Sequence, residues 1–132
     1  MIRLLIADDH EVIRFGLRML LRDVPDITVI GEAADGRAAV TMAAADPPDM
    51  VLMDLSMPVL DGVSATREIV TAAPSVQVLV HTANGRESTV REAFDAGASG
   101  YVLKDSPPST LLDAIRAVFG SKSPITPKVF GT

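Results

Sequence analysis

Three aspartates follow or end two apolar runs of the sequence and could together bind a cation. Asp8 and Asp9 follow the run Ile2–Ala7, and Asp54 ends the run Met50–Asp54. If these runs are neighbouring parallel strands, their carboxyl ends meet at one edge of a sheet, where open α/β folds bind ligands. Crowded carboxylates repel one another unless a cation compensates, and oxygen ligands favour a hard dication. The spacing therefore predicts a Mg²⁺ site.

Lys104 and Thr82 would add an ammonium and a hydroxyl to this edge, because each ends a predicted strand. Taken alone, each is an ordinary surface or strand residue, and a single strand-end aspartate is more often a helix cap or a solvated side chain. Together with a metal ion they form the set that aspartyl phosphorylation requires. An anionic nucleophile that attacks a phosphoryl group needs positive charge around the equatorial oxygens. The combination favours a functional site.

Alternating strand and helix patterns predict the framework that would position these groups. Short apolar runs are typical of strands buried on both faces of a parallel sheet, and helical spacing between them predicts an α/β doubly wound fold with right-handed crossovers. The predicted strands are Ile2–Ala7, Ile27–Glu32, Met50–Asp54, Val76–Thr82 and Gly100–Lys104. The predicted helices are Glu11–Arg22, Gly36–Ala45, Val63–Ala72, Glu87–Ala96 and Ser109–Phe119.

Length, charge and composition narrow the class of protein. The 132 residues are enough for one domain, and the formal charge of −5 has the wrong sign for a surface that binds nucleic acid. The absence of cysteine excludes disulfides, thiolate metal sites and thiol catalysis in this chain. No apolar stretch approaches the roughly 20 residues of a membrane span, and the N-terminus lacks the pattern of a signal peptide. We therefore expect a soluble, cytosolic domain over residues 1–120.

The Pro- and Gly-containing tail, residues 121–132, has no period and is predicted to be a linker.

Five segments, in order and at the expected spacing, resemble the receiver domain of bacterial two-component response regulators. They are Asp8-Asp9, Asp54-Leu55-Ser56-Met57-Pro58, Asp61-Gly62, Thr82-Ala83 and Tyr101 through Lys104. The resemblance implies a flavodoxin-like (βα)5 fold with a five-stranded parallel sheet in the order 2-1-3-4-5. The run Gly97–Tyr101 with Lys104-Asp105 is similar to the NarL/FixJ subfamily, whose members carry a C-terminal helix-turn-helix of the LuxR type.

The resemblance also implies roles for the acidic residues. Asp54 would accept the phosphoryl group. Asp9 and Asp54 would bind Mg²⁺ through side-chain oxygens, Asp8 would act through water, and Ser56 would contribute its backbone carbonyl. The domain would catalyse its own phosphorylation and dephosphorylation without turning over a small molecule.

A second set of residues would respond to the phosphoryl group. The resemblance implies that Lys104 pairs with it, that Thr82, next to Ala83, hydrogen-bonds to it, and that Tyr101 changes orientation when Thr82 moves. An ordinary strand aromatic is an equally good explanation of Tyr101. His81 stands where an aliphatic residue is more usual, and we expect a buried strand residue rather than a pH-sensitive switch. In addition, Asp105 follows the lysine where many receivers have proline.

The first helix and the family resemblance suggest partners. On a helical wheel, Phe15 lies beside the arginine stripe that contains Arg14 and Arg18, and we hypothesise that these three residues contact the sensor histidine kinase. A single exposed apolar residue without function explains Phe15 equally well. The resemblance further implies a homodimer on phosphorylation and DNA binding only through a helix-turn-helix domain absent from this chain. A stand-alone receiver that acts through protein contacts is the alternative.

Three other functions compete with this interpretation. A phosphatase of the haloacid dehalogenase type would need a general acid two residues after the nucleophile, where Ser56 stands. An FMN carrier would need aromatic residues to sandwich the flavin, and the chain has one Tyr, four Phe and no Trp. A degenerate receiver that switches without phosphate is disfavoured because Asp9, Asp54, Thr82 and Lys104 are all present.

Overall fold

Strands and helices alternate along residues 1–121 and 128–130, which are the residues that this computed structural model describes. The strands are β1 (Ile2–Ala7), β2 (Ile27–Ala33), β3 (Met50–Met53), β4 (Gln77–Thr82), β5 (Gly100–Leu103) and β6 (Lys128–Phe130). The helices are α1 (Glu11–Leu21), α2 (Gly36–Ala45), α3 (Gly62–Ala72), α4 (Glu87–Asp95) and α5 (Pro108–Gly120). Each of the ten predicted elements is confirmed, with its ends within about one residue.

The sheet is parallel throughout, in the order β2-β1-β3-β4-β5-β6, which confirms the predicted order of the first five strands. β1 lies between β2 and β3, and Ala7, the last residue of β1, pairs with Met53, the last residue of β3. Asp8 and Asp54 therefore leave adjacent strands side by side. Met53 in turn pairs with Val80 of β4, which brings the end of β4 to the same edge.

The helices cover both faces of the sheet, as expected for a doubly wound fold. The core on one face joins α1 and α5 to the sheet through residues such as Leu17 and Ile115. The core on the other face includes residues of α2, α3 and α4, among them Ala39, Ile69 and Ala93. Apolar residues on both faces explain why the strands read as continuous apolar runs. None of the helices in the described ranges is both long enough and apolar enough to span a bilayer.

The sixth strand is a difference from the predicted five-stranded sheet. β6 extends the edge of the sheet beside β5, with Val102 opposite Phe130, and the Phe130 ring packs on the core beneath α1 and α5. Three residues are too short to show a period in the sequence, but an open strand edge offers backbone hydrogen bonds to any extended segment that reaches it. The rest of the predicted linker beyond Ser121 lies outside the described residues, and the division between domain and linker stays a prediction.

Candidate functional site

The paired ends of β1 and β3 bring two buried carboxylates together. The backbone N–H of Asp54 donates to the carbonyl of Ala7 at 2.9 Å, and that of Asp8 donates to the carbonyl of Ala33 at 3.0 Å. Only 1% of Asp8 and 3% of Asp54 is exposed. Burial of two like charges is costly unless a cation compensates, so this edge of the sheet calls for positive charge.

Lys104 supplies part of that charge. It follows β5, and its backbone N–H donates to the carbonyl of Thr82, the last residue of β4. Its ammonium Nζ lies 2.7 Å from Asp8 Oδ2 and 3.4 Å from Asp54 Oδ2. The structure therefore brings together Asp8, Asp54 and Lys104, which lie 46 to 96 positions apart in the sequence, and Lys104 pairs more closely with Asp8.

The two carboxyls differ in their protonation equilibria. Burial raises the pKa of Asp8, but hydrogen bonds and charge from Lys104, with further hydrogen bonds from His10, outweigh burial and hold the pKa below its ordinary value. For Asp54 burial dominates, and its pKa lies above the ordinary value despite the charge of Lys104. Asp54 is thus the less stabilised anion of the pair before any dication binds.

His10, in the turn between β1 and α1, belongs to the site although we did not predict it. Its backbone N–H donates to Asp8 Oδ1 at 2.9 Å. Its ring Nδ1 lies 3.0 Å from Asp8 Oδ1 and 3.1 Å from Asp9 Oδ1. The available signal was its place directly after two aspartates in the sequence.

The donor set fits a divalent cation. Asp8, Asp9, His10 and Asp54 each offer a ligand atom, and these atoms all lie within 4.8 Å of one another. Apart from their contacts with the Lys104 ammonium, the buried Asp8 Oδ2 and Asp54 Oδ2 have no hydrogen-bond partner among the residues that the structure describes, which is the environment of oxygens that a cation would satisfy. The prediction that three carboxylates converge is confirmed. Ser56 lies in the following loop with an exposed side chain, and a role for its carbonyl stays a prediction.

Two glycines set the shape of the loop between β3 and α3. A Cβ on Gly62 would lie 2.1 Å from the carbonyl oxygen of Asp54, and a Cβ on Gly36 would lie 1.9 Å from that of Leu60. Helices α2 and α3 therefore begin directly against this loop, at a distance that only glycine allows. Between these contacts Val59 has a φ of 69°, which is unusual for a β-branched residue.

The predicted residues of α1 contact the site and one another. Arg14 Nη1 donates to the carbonyl of Asp8 at 2.6 Å, and Arg14 Nε donates to Glu32 Oε1 at 3.1 Å. Arg18 also donates to Glu32, at 2.6 Å, and its guanidinium lies over the Phe15 ring, 5.6 Å from the centroid. Phe15 is 54% exposed, as its place on the helical wheel predicted. A contact of these residues with a partner stays a hypothesis.

Thr82 and Tyr101 link the edge of the sheet to the loop before α4. Thr82 is buried, and its Oγ1 accepts from the backbone N–H of Asn84 at 3.5 Å. The Tyr101 side chain is fully buried, its hydroxyl donates to the carbonyl of Asn84, and its ring packs edge-on against Phe94. Ala83, between Thr82 and Asn84 in the sequence, is exposed. These residues border the carboxylate cluster without being part of it.

His81 is buried in β4, as we expected. Burial, with a smaller effect of the Lys104 charge, lowers the pKa of His81 to about 4. The imidazole is therefore neutral at physiological pH.

Comparison with known proteins agrees with this geometry. A family model described as the response regulator receiver domain matches residues 4–116. The transcriptional regulatory protein LiaR of Bacillus subtilis is 41% identical over 131 residues, which are 99% of this chain and 62% of LiaR. The chain spans between 53% and 62% of the length of the first curated relatives that it matches.

Solved structures show the same fold. A two-component response regulator of the LuxR family from Aurantimonas sp. SI85-9A1 superposes with a TM-score of 0.87 at 37% identity, over 92% of this chain and 86% of that one. The isolated REC domain of RcsB from Salmonella enterica serovar Typhimurium, determined with the phosphomimetic BeF3⁻, superposes with a TM-score of 0.83 at 30% identity, over 92% of this chain and 91% of that one.

Proposed function

This chain belongs to the response regulator receiver domain family, and from that membership we propose that it is a phosphorylation-controlled switch of a bacterial two-component system. Asp54 accepts a phosphoryl group from a sensor histidine kinase in the presence of Mg²⁺, and the phosphorylated state controls a transcriptional output. The observation that supports this most directly is the buried Asp54 carboxylate, with an oxygen that accepts no hydrogen bond and lies 3.4 Å from the Lys104 ammonium.

The chemistry follows from the charges around Asp54. A carboxylate oxygen attacks phosphorus, the new O–P bond forms as the P–N bond of the donor phosphohistidine breaks, and the donor imidazole leaves with the electron pair. Lys104 can stabilise the negative charge on the transferred phosphoryl group, because its ammonium already contacts both buried carboxylates. Asp9 and Asp54, with Asp8 acting through water and Ser56 through its carbonyl, would hold Mg²⁺, which would supply the remaining neutralisation of the phosphoryl oxygens. No turnover of a small-molecule substrate is expected.

The switch lies at the end of β4. A phosphoryl group on Asp54 adds up to about two negative charges, which attract the Thr82 hydroxyl and the Lys104 ammonium. Movement of Thr82 would change the loop that Tyr101 holds through Asn84. A ligand that moves a population from mostly one state to mostly the other must supply about 5.5 kcal/mol of differential interaction. Charge-assisted hydrogen bonds of this kind contribute a large part of that. The readout surface is then α4, β5 and α5.

The partners follow from the family and from the surface of α1. The kinase contacts Phe15 together with Arg14 and Arg18, beside the turn that carries Asp8 and Asp9. The phosphorylated domain forms a homodimer, and DNA binding belongs to a C-terminal helix-turn-helix domain in the parent protein, as in regulators of the LuxR family. The protein acts in the cytoplasm. A stand-alone receiver that acts only through protein contacts is the second candidate.

A small-molecule phosphodonor tests the proposal without the kinase. With acetyl phosphate and Mg²⁺, the intact mass of the chain should rise by one phosphoryl group. Asp54→Asn should abolish the gain, while Asp105→Asn, an exposed control next to Lys104, should leave it unchanged. Incorporation that persists in Asp54→Asn, or that needs no divalent cation, would contradict the assignment of Asp54 and Mg²⁺.

A further inference from the structure

His10 adds a nitrogen donor to a cluster that Mg²⁺ would bind through oxygen alone. We propose that the His10 imidazole is a ligand of the bound dication and that it gives the site a preference for a borderline transition metal ion of the Fe²⁺ to Zn²⁺ class over Mg²⁺. This inference rests on the proposed function only in taking the acidic cluster to be a dication site.

The position of the ring carries the argument. Nδ1 lies 3.0 Å from Asp8 Oδ1 and 3.1 Å from Asp9 Oδ1, so it is close to two of the carboxylates of the cluster. Its own backbone N–H is fixed by the bond to Asp8 Oδ1, so the root of the side chain is held at the site. The imidazole itself is mostly exposed, with 61% of its surface open to solvent. It can therefore turn by a rotamer change to share an ion with these carboxylates.

A second observation points to a ligand independently of His10. Asp54 is buried and contributes a carboxylate oxygen to this cluster, and apart from the Lys104 ammonium at 3.4 Å its Oδ2 has no hydrogen-bond partner within the described part of the chain. Burial of a carboxylate oxygen without a hydrogen bond is unfavourable unless a proton or a cation satisfies that oxygen. Lys104 brings one positive charge to two buried carboxylates, so the cluster lacks at least one compensating positive charge.

The chemistry of the donors selects the metal. Mg²⁺ takes oxygen ligands and keeps several of its waters, so an adjacent imidazole adds little to its binding. Imidazole suits the later first-row ions, whose affinity for mixed nitrogen and oxygen sites rises from Mn²⁺ towards Cu²⁺. Lys104 already occupies Asp8 Oδ2 at 2.7 Å and competes with any dication. A nitrogen ligand should thus matter more here than in a site without that ammonium.

Titration of the full chain with Co²⁺ and Mg²⁺ tests the inference, because Co²⁺ reports its ligands by visible absorption. The variant is His10→Asn, since His10 is the N-cap of α1 and asparagine is a good N-cap. We expect His10→Asn to weaken Co²⁺ binding at least about tenfold and to shift the Co²⁺ absorption bands, with Mg²⁺ affinity changed by less than about twofold. Asp54→Asn is the second variant and should weaken the binding of both ions.

The outcomes separate this inference from the proposed function. Equal Co²⁺ affinity and equal absorption bands in the unmodified chain and in His10→Asn would overturn the role of His10, even if phosphorylation of Asp54 proceeds with Mg²⁺. Co²⁺ binding that depends on His10 but is unchanged in Asp54→Asn would place the ion elsewhere and would also overturn it. Failure of phosphorylation with Co²⁺ binding dependent on both residues would contradict the proposed function alone.

Discussion

Two segments each place a buried aspartate at the same edge of the sheet: the turn between β1 and α1, which carries Asp8, and the loop between β3 and α3, which carries Asp54. The electrostatic environments of the two carboxylates are nevertheless opposite. In the turn, Asp8 is paired with Lys104 at 2.7 Å and accepts from the backbone of His10, and its pKa is lowered. In the loop, Asp54 Oδ2 lies farther from the same ammonium, at 3.4 Å, and the pKa of Asp54 is raised.

This difference gives the two aspartates different roles, with Asp8 supporting the site and Asp54 reacting. Asp8 is stabilised as an anion by the fold itself, so it can hold Lys104 in place. Asp54 is positioned by backbone contacts, from Ala7 on one side and from Gly62 on the other, while its carboxylate is left poorly satisfied. A nucleophile benefits from this arrangement because it gains more from a metal ion or a phosphoryl group than a carboxylate already satisfied would gain.

The largest effect is expected when the stabilities of Asp8→Asn and Asp54→Asn are compared in the absence of divalent ions. Asp8→Asn should lower the free energy of unfolding by about 1–3 kcal/mol, because Lys104 loses its closest partner. Asp54→Asn should leave it unchanged or raise it by about 1 kcal/mol, because a poorly compensated buried charge is removed. Urea unfolding followed by circular dichroism measures both, and equal losses in the two variants would refute the contrast.

The dependence on pH should have opposite signs for the two residues. The pKa of Asp8 is lowered on folding, so its stabilisation is present above the ordinary value of 3.8 and is lost as the pH falls through the folded value. The pKa of Asp54 is raised, so its cost is full above the folded value and disappears below 3.8. The stability differences from the unmodified chain should therefore shrink in acid for both variants, from opposite sides.

Gly62→Ala should disturb the loop between β3 and α3, which carries Asp54. Its Cβ would meet the Asp54 carbonyl oxygen at 2.1 Å, so α3 or the peptide of Asp54 must shift. We expect a loss of about 1–3 kcal/mol in stability and slower phosphorylation by acetyl phosphate. Gly16→Ala in α1 is the control, since nothing lies within 4 Å of its Cβ position, and it should gain about 0.5–1 kcal/mol. Unchanged phosphorylation in Gly62→Ala would show that α3 does not position Asp54.

Val59→Gly should give the smallest effect. Val59 is exposed and has a φ of 69°, so glycine relieves the backbone strain and should raise the free energy of unfolding by about 1 kcal/mol. The greater conformational entropy that glycine gives the unfolded chain reduces this gain. Val12, equally exposed but helical in α1, is the matched position, and Val12→Gly should lose about 0.5 kcal/mol. Thermal unfolding of the two variants measures both signs. A loss in Val59→Gly would mean that the loop tolerates its conformation without strain.

The sequence was sufficient for those features that repeat along the chain. Apolar runs and helical spacing are local signals, so the first five strands and the five helices could be located, and the shared edge of parallel strands brought Asp8, Asp54 and Lys104 to one place. The caps Asp35 and Asp61, whose side chains accept from Ala38 and Ser64, are local in the same way.

Features that depend on contacts between distant segments could not be predicted. The approach of Gly62 to the Asp54 carbonyl depends on how α3 meets the sheet, and the bond from Arg14 to the Asp8 carbonyl depends on the rotation of α1. The ring of His10 points towards the acids because of the backbone path of one short turn. None of these has a period or a composition that a sequence pattern could reveal.

The bond between the Tyr101 hydroxyl and Asn84 makes the protein its own optical reporter. Tyr101 is the one tyrosine of the chain, and there is no tryptophan, so ultraviolet fluorescence excited in this domain comes mainly from a single phenol. Its intensity depends on whether the hydroxyl stays bonded to the loop before α4. The motion of that loop can therefore be timed in a stopped-flow mixer on the unlabelled, unmodified polypeptide.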